Sequence, residues 1–260
     1  MQVNNEIYQT YGHDWWSEDA SFAFSSLRYC MNPVRYGYFK RMLQQLQLPG
    51  RTLLDVGCGG GFLAEEFARD GFTVTGIDPA TRSLEAARKH AVENNLEIDY
   101  RAGRGEALPF PDGSFDIVAC CDVLEHVDDF SLVISEVART LKAGGVFCYD
   151  TINRTWLSKV AVIKISQDWG FTKWIPPNSH VWERFIKPAE LIAAMNRCGI
   201  ANQDLTGIAS RKNPLALFAN LRALRKGRLS NREIAAAFAL CETEDLRISY
   251  MGYAVRSSSV

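Results

Sequence analysis

Two short stretches carry the residue types that can do chemistry. One is Asp55-Val56-Gly57-Cys58-Gly59-Gly60-Gly61, and the other is Asp122-Val123-Leu124-Glu125-His126. In the first, a glycine-rich turn sits between an apolar run and a helical pattern. Glycine lets a backbone approach a ligand closely, so Gly57 and Gly59 read as part of a cofactor loop. Asp78 ends the next apolar run, where an acidic side chain can accept hydrogen bonds from both hydroxyls of a ribose. Dinucleotide-binding domains share both features. Asp55 separates the two readings. A carboxylate just ahead of the first glycine repels a pyrophosphate, whereas a cofactor with an amino-acid end and a sulfonium tolerates or favours it. The order of the glycines also differs from GxGxxG. The loop therefore points to S-adenosylmethionine rather than NAD.

Methyl transfer from a sulfonium requires a nucleophile held in line with the methyl group, and positioning supplies most of the catalysis. If the nucleophile is a phenol, with a pKa of about 10, a base or a metal must favour its ionised form. Asp122, Glu125 and His126 are the candidates, because they follow an apolar run whose C-terminal end is where open α/β sheets bind ligands. No GxSxG stretch or triad-like pattern points to covalent catalysis. The four histidines lack HxH or HxxxH spacing, so no preformed zinc site is indicated.

The elements that must position these residues follow from periodicity. From about Thr52 the chain alternates short apolar runs with helical patterns, as parallel α/β units do. Strands are predicted at TLLDV, TVTGID, EIDYRAG, IVACCDVL and VFCYDTI, with helices between them. Asp128 or Asp129 can cap the helix SLVISEVARTLK, which should stop at Ala143-Gly144-Gly145. Past Asn153 the alternation breaks. Residues 153–185 read as an inserted lid, and within it 155–175 mixes Trp156, Val160, Ile163, Trp169 and Trp174 with lysines. Such a mixture suits either a segment lying at a membrane surface or a lid packed over the acceptor pocket. Lys187-Pro188 opens a further helix. Residues 211–245 read as an additional helical insertion, residues 1–50 as an N-terminal cap, and 1–260 as one domain.

With 47% hydrophobic and 23% charged residues the chain is ordinary for a globular protein, and a formal net charge of −1 gives no reason to expect nucleic acid. Seven cysteines without paired spacing favour reduced thiols in a cytoplasmic setting. The N-terminus lacks the features of a secretory leader.

The same motifs carry a family resemblance. LLDVGCGGGFLAEEFARDGFTVTGIDPA, EALPFPDGSFDIVACCDVLEHV and LKAGGVFCYDTINR resemble the motifs of class I S-adenosylmethionine methyltransferases. NNEIYQTYGHDWW, LRYCMNPVRYGY, TINRTW and RFIKPAEL narrow this to the ubiquinone-biosynthesis O-methyltransferases. The resemblance implies a Rossmann-like α/β fold with a mostly parallel seven-stranded sheet, helices on both faces and an antiparallel final strand. It implies that Arg35 meets the carboxylate of the cofactor, Gly57 its methionine portion and Asp78 its ribose. Cys121 would form the wall beside it, and Glu106, preferred over Arg104, would neighbour the adenine. It implies a divalent-metal site at Asp122, Glu125 and His126, where an oxygen-rich set would suit Mg²⁺. LEHV also occurs where no metal is needed, and His126 would then be a base or a substrate contact. His180 matches a lid histidine that would close over the acceptor, and segment 155–175 matches a region in contact with membranes. The expected reaction is O-methylation of a small hydroxylated aromatic or quinone-precursor acceptor, phenolic or catechol-like. N- or C-methylation, or a non-catalytic cofactor-binding subunit, are the alternatives. Residues 211–245 depart from the family and leave the acceptor open.

Overall fold

The computed structural model describes residues 3–258 apart from 19, 171, 227, 231 and 232, and gives the backbone alone at 22, 225, 234 and 235. Three helices precede the sheet: α1 (Glu6–Thr10), α2 (Phe22–Ser26) and α3 (Asn32–Leu46). Helix α3 continues directly from a π-helical turn over Leu27–Met31, with Pro33 at the junction, and ends at Gln47 in the left-handed region. Then β1 (Thr52–Val56), α4 (Phe62–Arg69), β2 (Thr73–Asp78), α5 (Thr81–Glu93), β3 (Ile98–Ala102), β4 (Phe115–Cys121), α6 (Phe130–Thr140) and β5 (Leu141–Ile152) follow in alternation. Asp129 caps α6 by accepting the Ser131 N–H at 2.8 Å. The helix ends at Thr140, earlier than its glycines suggest, because Leu141 already pairs with Phe115 across a bulge.

Beyond β5 come α7 (Trp156–Ser158), a π-helical stretch over Lys159–Asp168, α8 (Pro188–Arg197), β6 (Ile200–Ser210), α9 (Pro214–Arg225), α10 (Glu233–Phe238), β7 (Leu240–Thr243) and β8 (Ser249–Arg256). The sheet has eight strands in the order β3-β2-β1-β4-β5-β8-β6-β7. Strands β1 to β5 are parallel, and β8 inserts antiparallel between β5 and β6. This is the expected Rossmann-like class with its antiparallel final strand, but the expected count of seven is one short. Residues 240–243, expected in a helical insertion, pair instead with Gly207–Ser210 at the sheet edge. Four residues are too few to show a period of two, and their pairing comes from the open edge of β6.

Alternation along the strands sends side chains to two cores. Leu54, Val118 and Cys120 face α6 and α8, whereas Leu53, Ile117 and Ala119 face α3, α4 and α5. Strand β4 is buried over its whole length, as a central parallel strand covered on both faces must be. A third cluster, Trp15, Ala20, Phe24 and Phe62, fastens the N-terminal segment to α4. This arrangement places Gly57, Asp78 and Asp122 together at the C-terminal edge of the sheet.

Candidate active site

A cavity of about 790 Å³ opens at that edge, and Arg35, Asp55, Gly57, Gly59, Asp78, Glu106 and Cys121 all line it. Arg104 lines it as well. Gly57 has φ +70°, and a Cβ there would overlap Val123, so this position needs glycine for both conformation and space. Gly59 and Gly60 serve a different purpose. A Cβ on either would run into the ring of Trp15, so these glycines admit the N-terminal segment as much as a ligand. Trp15 donates to Ser83 Oγ at 2.9 Å, and Trp16 donates to the Gly60 carbonyl at 2.7 Å. Trp16 also stacks on His90, their ring centroids 3.4 Å apart. His90 is therefore a packing residue that also pairs with the buried Glu65 at 2.7 Å, and His13 is exposed.

The carboxylates divide the work. Asp78 Oδ1 accepts the Ala80 N–H at 2.8 Å and Oδ2 the Gly59 N–H at 2.9 Å. Each oxygen retains a lone pair for a further donor such as a ribose hydroxyl. Asp55 is buried with Oδ2 unpartnered, and burial pushes its carboxyl up to about 7. A buried carboxylate in that condition is stabilised by a cationic ligand group. Both residues thus fit the ribose and the positively charged end of S-adenosylmethionine.

Arg35, reaching in from α3, is buried rather than a surface ion-pairing residue. It is held by Asp122, and its Nε lies 2.7 Å from Asp150 Oδ2, without the alignment of a hydrogen bond. Burial works against its charge, yet Asp122 and Asp150 outweigh this and raise its pKa. The same partnership holds Asp122 below the usual carboxylate range despite burial. Asp122 adopts φ +53°, a left-handed conformation that Asp tolerates better than most residues, and its N–H donates to Asp150 Oδ1 at 2.8 Å. The predicted fourth strand therefore stops at Cys121, three residues early, and its end turns back into the site.

Glu125, His126 and His180 form a separate cluster whose ligand atoms lie within 4.8 Å of one another. Glu125 Oε1, His126 Nδ1 and His180 Nδ1 are all buried without a hydrogen-bond partner. Glu125 Oε2 accepts from Thr151 at 2.8 Å. Burial, reinforced by Asp122, pushes Glu125 up to about 8, while burial pushes His126 down to about 4 and His180 to about 3. This grouping differs from the expected metal trio of Asp122, Glu125 and His126. Asp122 is engaged by Arg35, and segment 153–185 brings His180 to Glu125 and His126. Of Glu125, His126 and His180, only His126 lines the cavity.

Four contributors escaped the sequence reading. Tyr8 packs edge-on against His126 at 5.9 Å, and Asn5 donates to the His126 carbonyl at 3.1 Å. Arg184 donates to the Val127 and Asp128 carbonyls, tying segment 153–185 to the His126 loop. Asp150 sits at the end of β5, the sheet edge where ligands bind, and that position was a usable signal. The N-terminal sequence pattern does not tell which of the side chains of α1 meet the His126 loop.

The fold and the cavity define an S-adenosylmethionine-dependent methyltransferase. The methyltransferase-domain family profile matches residues 54–149. A ubiquinone biosynthesis O-methyltransferase of Actinobacillus pleuropneumoniae is 38% identical over 211 residues, 79% of this chain and 87% of that relative. One from Caulobacter vibrioides is 35% identical over 218 residues, 77% of this chain and 84% of the relative. The chain belongs to this family of ubiquinone biosynthesis O-methyltransferases. Among solved structures, magnesium protoporphyrin IX methyltransferase from Synechocystis PCC 6803, with bound S-adenosylhomocysteine, shares the fold. Its TM-score is 0.64 at 19% identity, with 97% of each chain covered. A SAM-dependent methyltransferase from Aquifex aeolicus gives a TM-score of 0.54 at 14% identity, covering 89% of this chain and 92% of that one.

Proposed function

We propose that this enzyme methylates a phenolic oxygen of a catechol-like quinone precursor. The observation that carries the reading is His126 on the cavity wall, backed by two more unpartnered ligand atoms from Glu125 and His180. When bound, S-adenosylmethionine would supply an electrophilic sulfonium methyl group, which the acceptor oxygen would take, with S-adenosylhomocysteine leaving as the carbon–sulfur bond breaks. Arg35 would hold the cofactor's carboxylate, Asp55 its cationic end and Asp78 its ribose. Gly57 and Gly59 would bring backbone close to it, Cys121 would wall it in, and Glu106 would flank the adenine. The acceptor must lose a proton. His126, neutral at pH 7, would take it or orient the hydroxyl, while Glu125, pushed up to about 8, keeps its own proton at that pH and would support His126 rather than act as the base. His180 closes the cluster from the lid.

The three unpartnered atoms also fit a divalent cation, which would supply Lewis acidity at the acceptor oxygen. Two imidazoles and one carboxylate suit Mn²⁺ or Zn²⁺ better than Mg²⁺. Residues 153–185 act as the lid, 1–50 as a cap, and 211–245 as an insertion between β6 and β8. In the lid, Trp156, Leu157, Val160 and Trp169 are exposed beside Lys159 and Lys164. That composition supports peripheral contact with a membrane, where a polyprenyl acceptor would reside.

The test is methyl transfer to a panel of catechols, amines and carbon acids, with EDTA and with Mg²⁺, Mn²⁺ or Zn²⁺ restored. Transfer to catechols alone supports the proposal, and restoration by one cation assigns the cluster. Transfer to amines or carbon acids, or cofactor binding without transfer to any acceptor, would overturn it.

A further inference from the structure

Asp150 does not line the cavity, yet two cavity-lining groups depend on it. Its Oδ1 accepts the Asp122 N–H at 2.8 Å, and its Oδ2 lies 2.7 Å from Arg35 Nε. Its side chain is 2% exposed. Strand register sets it opposite Cys121, immediately before the left-handed turn at Asp122. Three elements therefore meet here: α3 brings Arg35, the end of β4 brings Asp122, and β5 brings Asp150.

Two carboxylates on one buried guanidinium are a poor device for stability. Desolvating three charges costs as much as their attraction returns, and an apolar group of similar volume would serve as well. The arrangement does restrict geometry. Arg35 could swing on its long side chain, but Asp122 holds one terminal nitrogen and Asp150 faces Nε. The guanidinium plane is then set before a ligand arrives, with donors left over from its five N–H groups. Asp150 also pins the peptide of Asp122, an uncommon conformation that persists only when its surroundings over-determine it.

We infer that Asp150 is a positioning residue that aims Arg35 at the carboxylate of S-adenosylmethionine. The inference rests on the proposed role of Arg35, and the test separates the two. Binding of S-adenosylmethionine and of its decarboxylated analogue, which keeps the sulfonium and the amine, is measured for the wild type, Arg35→Gln and Asp150→Asn. Asparagine keeps the shape of Asp150 and an acceptor for the Asp122 N–H while removing the charge beside Arg35. The readout is the preference for the cofactor over the decarboxylated analogue. Both variants should lower that preference about tenfold, the worth of one charge-assisted hydrogen bond, while binding of the analogue stays near wild type. A structural role would weaken both ligands equally and leave the preference unchanged. If Arg35→Gln lowers the preference and Asp150→Asn does not, the Asp150 inference fails and the Arg35 reading stands. If neither lowers it, both fail. A loss in Asp150→Asn alone would show that Asp150 does not act through Arg35. Asp150→Ser gives the same readout should the asparagine variant not fold.

Discussion

At the residue scale, burial makes the acceptor-side cluster pH-sensitive in two opposite ways. Glu125 is raised from 4.5 to about 8 by burial. Between those values the folded state keeps a proton that the unfolded chain has released. Stability from Glu125 is therefore full below about 4.5 and is lost as pH rises through 8. His126 is lowered from 6.5 to about 4. There the unfolded chain takes the proton first, so stability is present above 6.5 and is lost as pH falls through 4. Replacing Glu125 with Gln removes the first effect. In EDTA, the melting temperature of Glu125→Gln relative to wild type should be several degrees more favourable at pH 8.5 than at pH 5.5. A difference that does not change with pH would contradict the raised carboxyl. His126→Ala should lower kcat by about 10²- to 10⁴-fold, the range for a lost general base, while S-adenosylmethionine binding by calorimetry stays unchanged.

At the scale of elements, the N-terminal segment is the least expected part of the site. Trp15 fills the space that Gly59 and Gly60 leave, stacks on Phe24 at 4.3 Å and lines the cavity. Trp15→Ala should cost about 3 kcal/mol of stability, the lower end for a buried aromatic truncation. It should also weaken cofactor binding, whereas Asp129→Ala, removing only the α6 cap, should cost about 1 kcal/mol and leave binding alone. Chemical denaturation and calorimetry on the two variants separate these outcomes. Equal effects on binding would mean that the cap is mere packing. The main α/β elements were legible because their apolar periods are long and bounded by turn residues, as with Asp129 before α6 and Pro188 opening α8. The end of β4 was not, because Asp122-Val123-Leu124 continues the apolar pattern while the chain has already turned at Asp122.

On the scale of the whole molecule, no helix among the described residues is long and apolar enough to cross a membrane. Exposed apolar side chains gather instead in segment 156–169, where Trp156 is 74% exposed. If that surface meets lipid, Trp156→Ser with Val160→Ser should reduce co-sedimentation with phosphatidylglycerol vesicles several-fold while leaving turnover of a soluble catechol unchanged. Undiminished sedimentation would remove the lid as the contact. The edge strand β7 belongs to this scale too, since its four residues acquire their structure only from β6.

What the sequence determined by itself was local and periodic. Asp55, Gly57, Gly59 and Asp78 lie within one strand–turn–helix–strand unit, so chain connectivity alone brings them to one edge of the sheet. The methyltransferase class followed from the carboxylate beside that glycine turn. What only the tertiary structure decided were the meetings between distant segments. Arg35, Asp122 and Asp150 converge from three elements, His180 joins Glu125 and His126, and Trp15 occupies the glycine loop. Such contacts depend on how helices and lid pack over the sheet edge, and hydrophobic period and turn chemistry carry no record of which distant side chains will share one buried space.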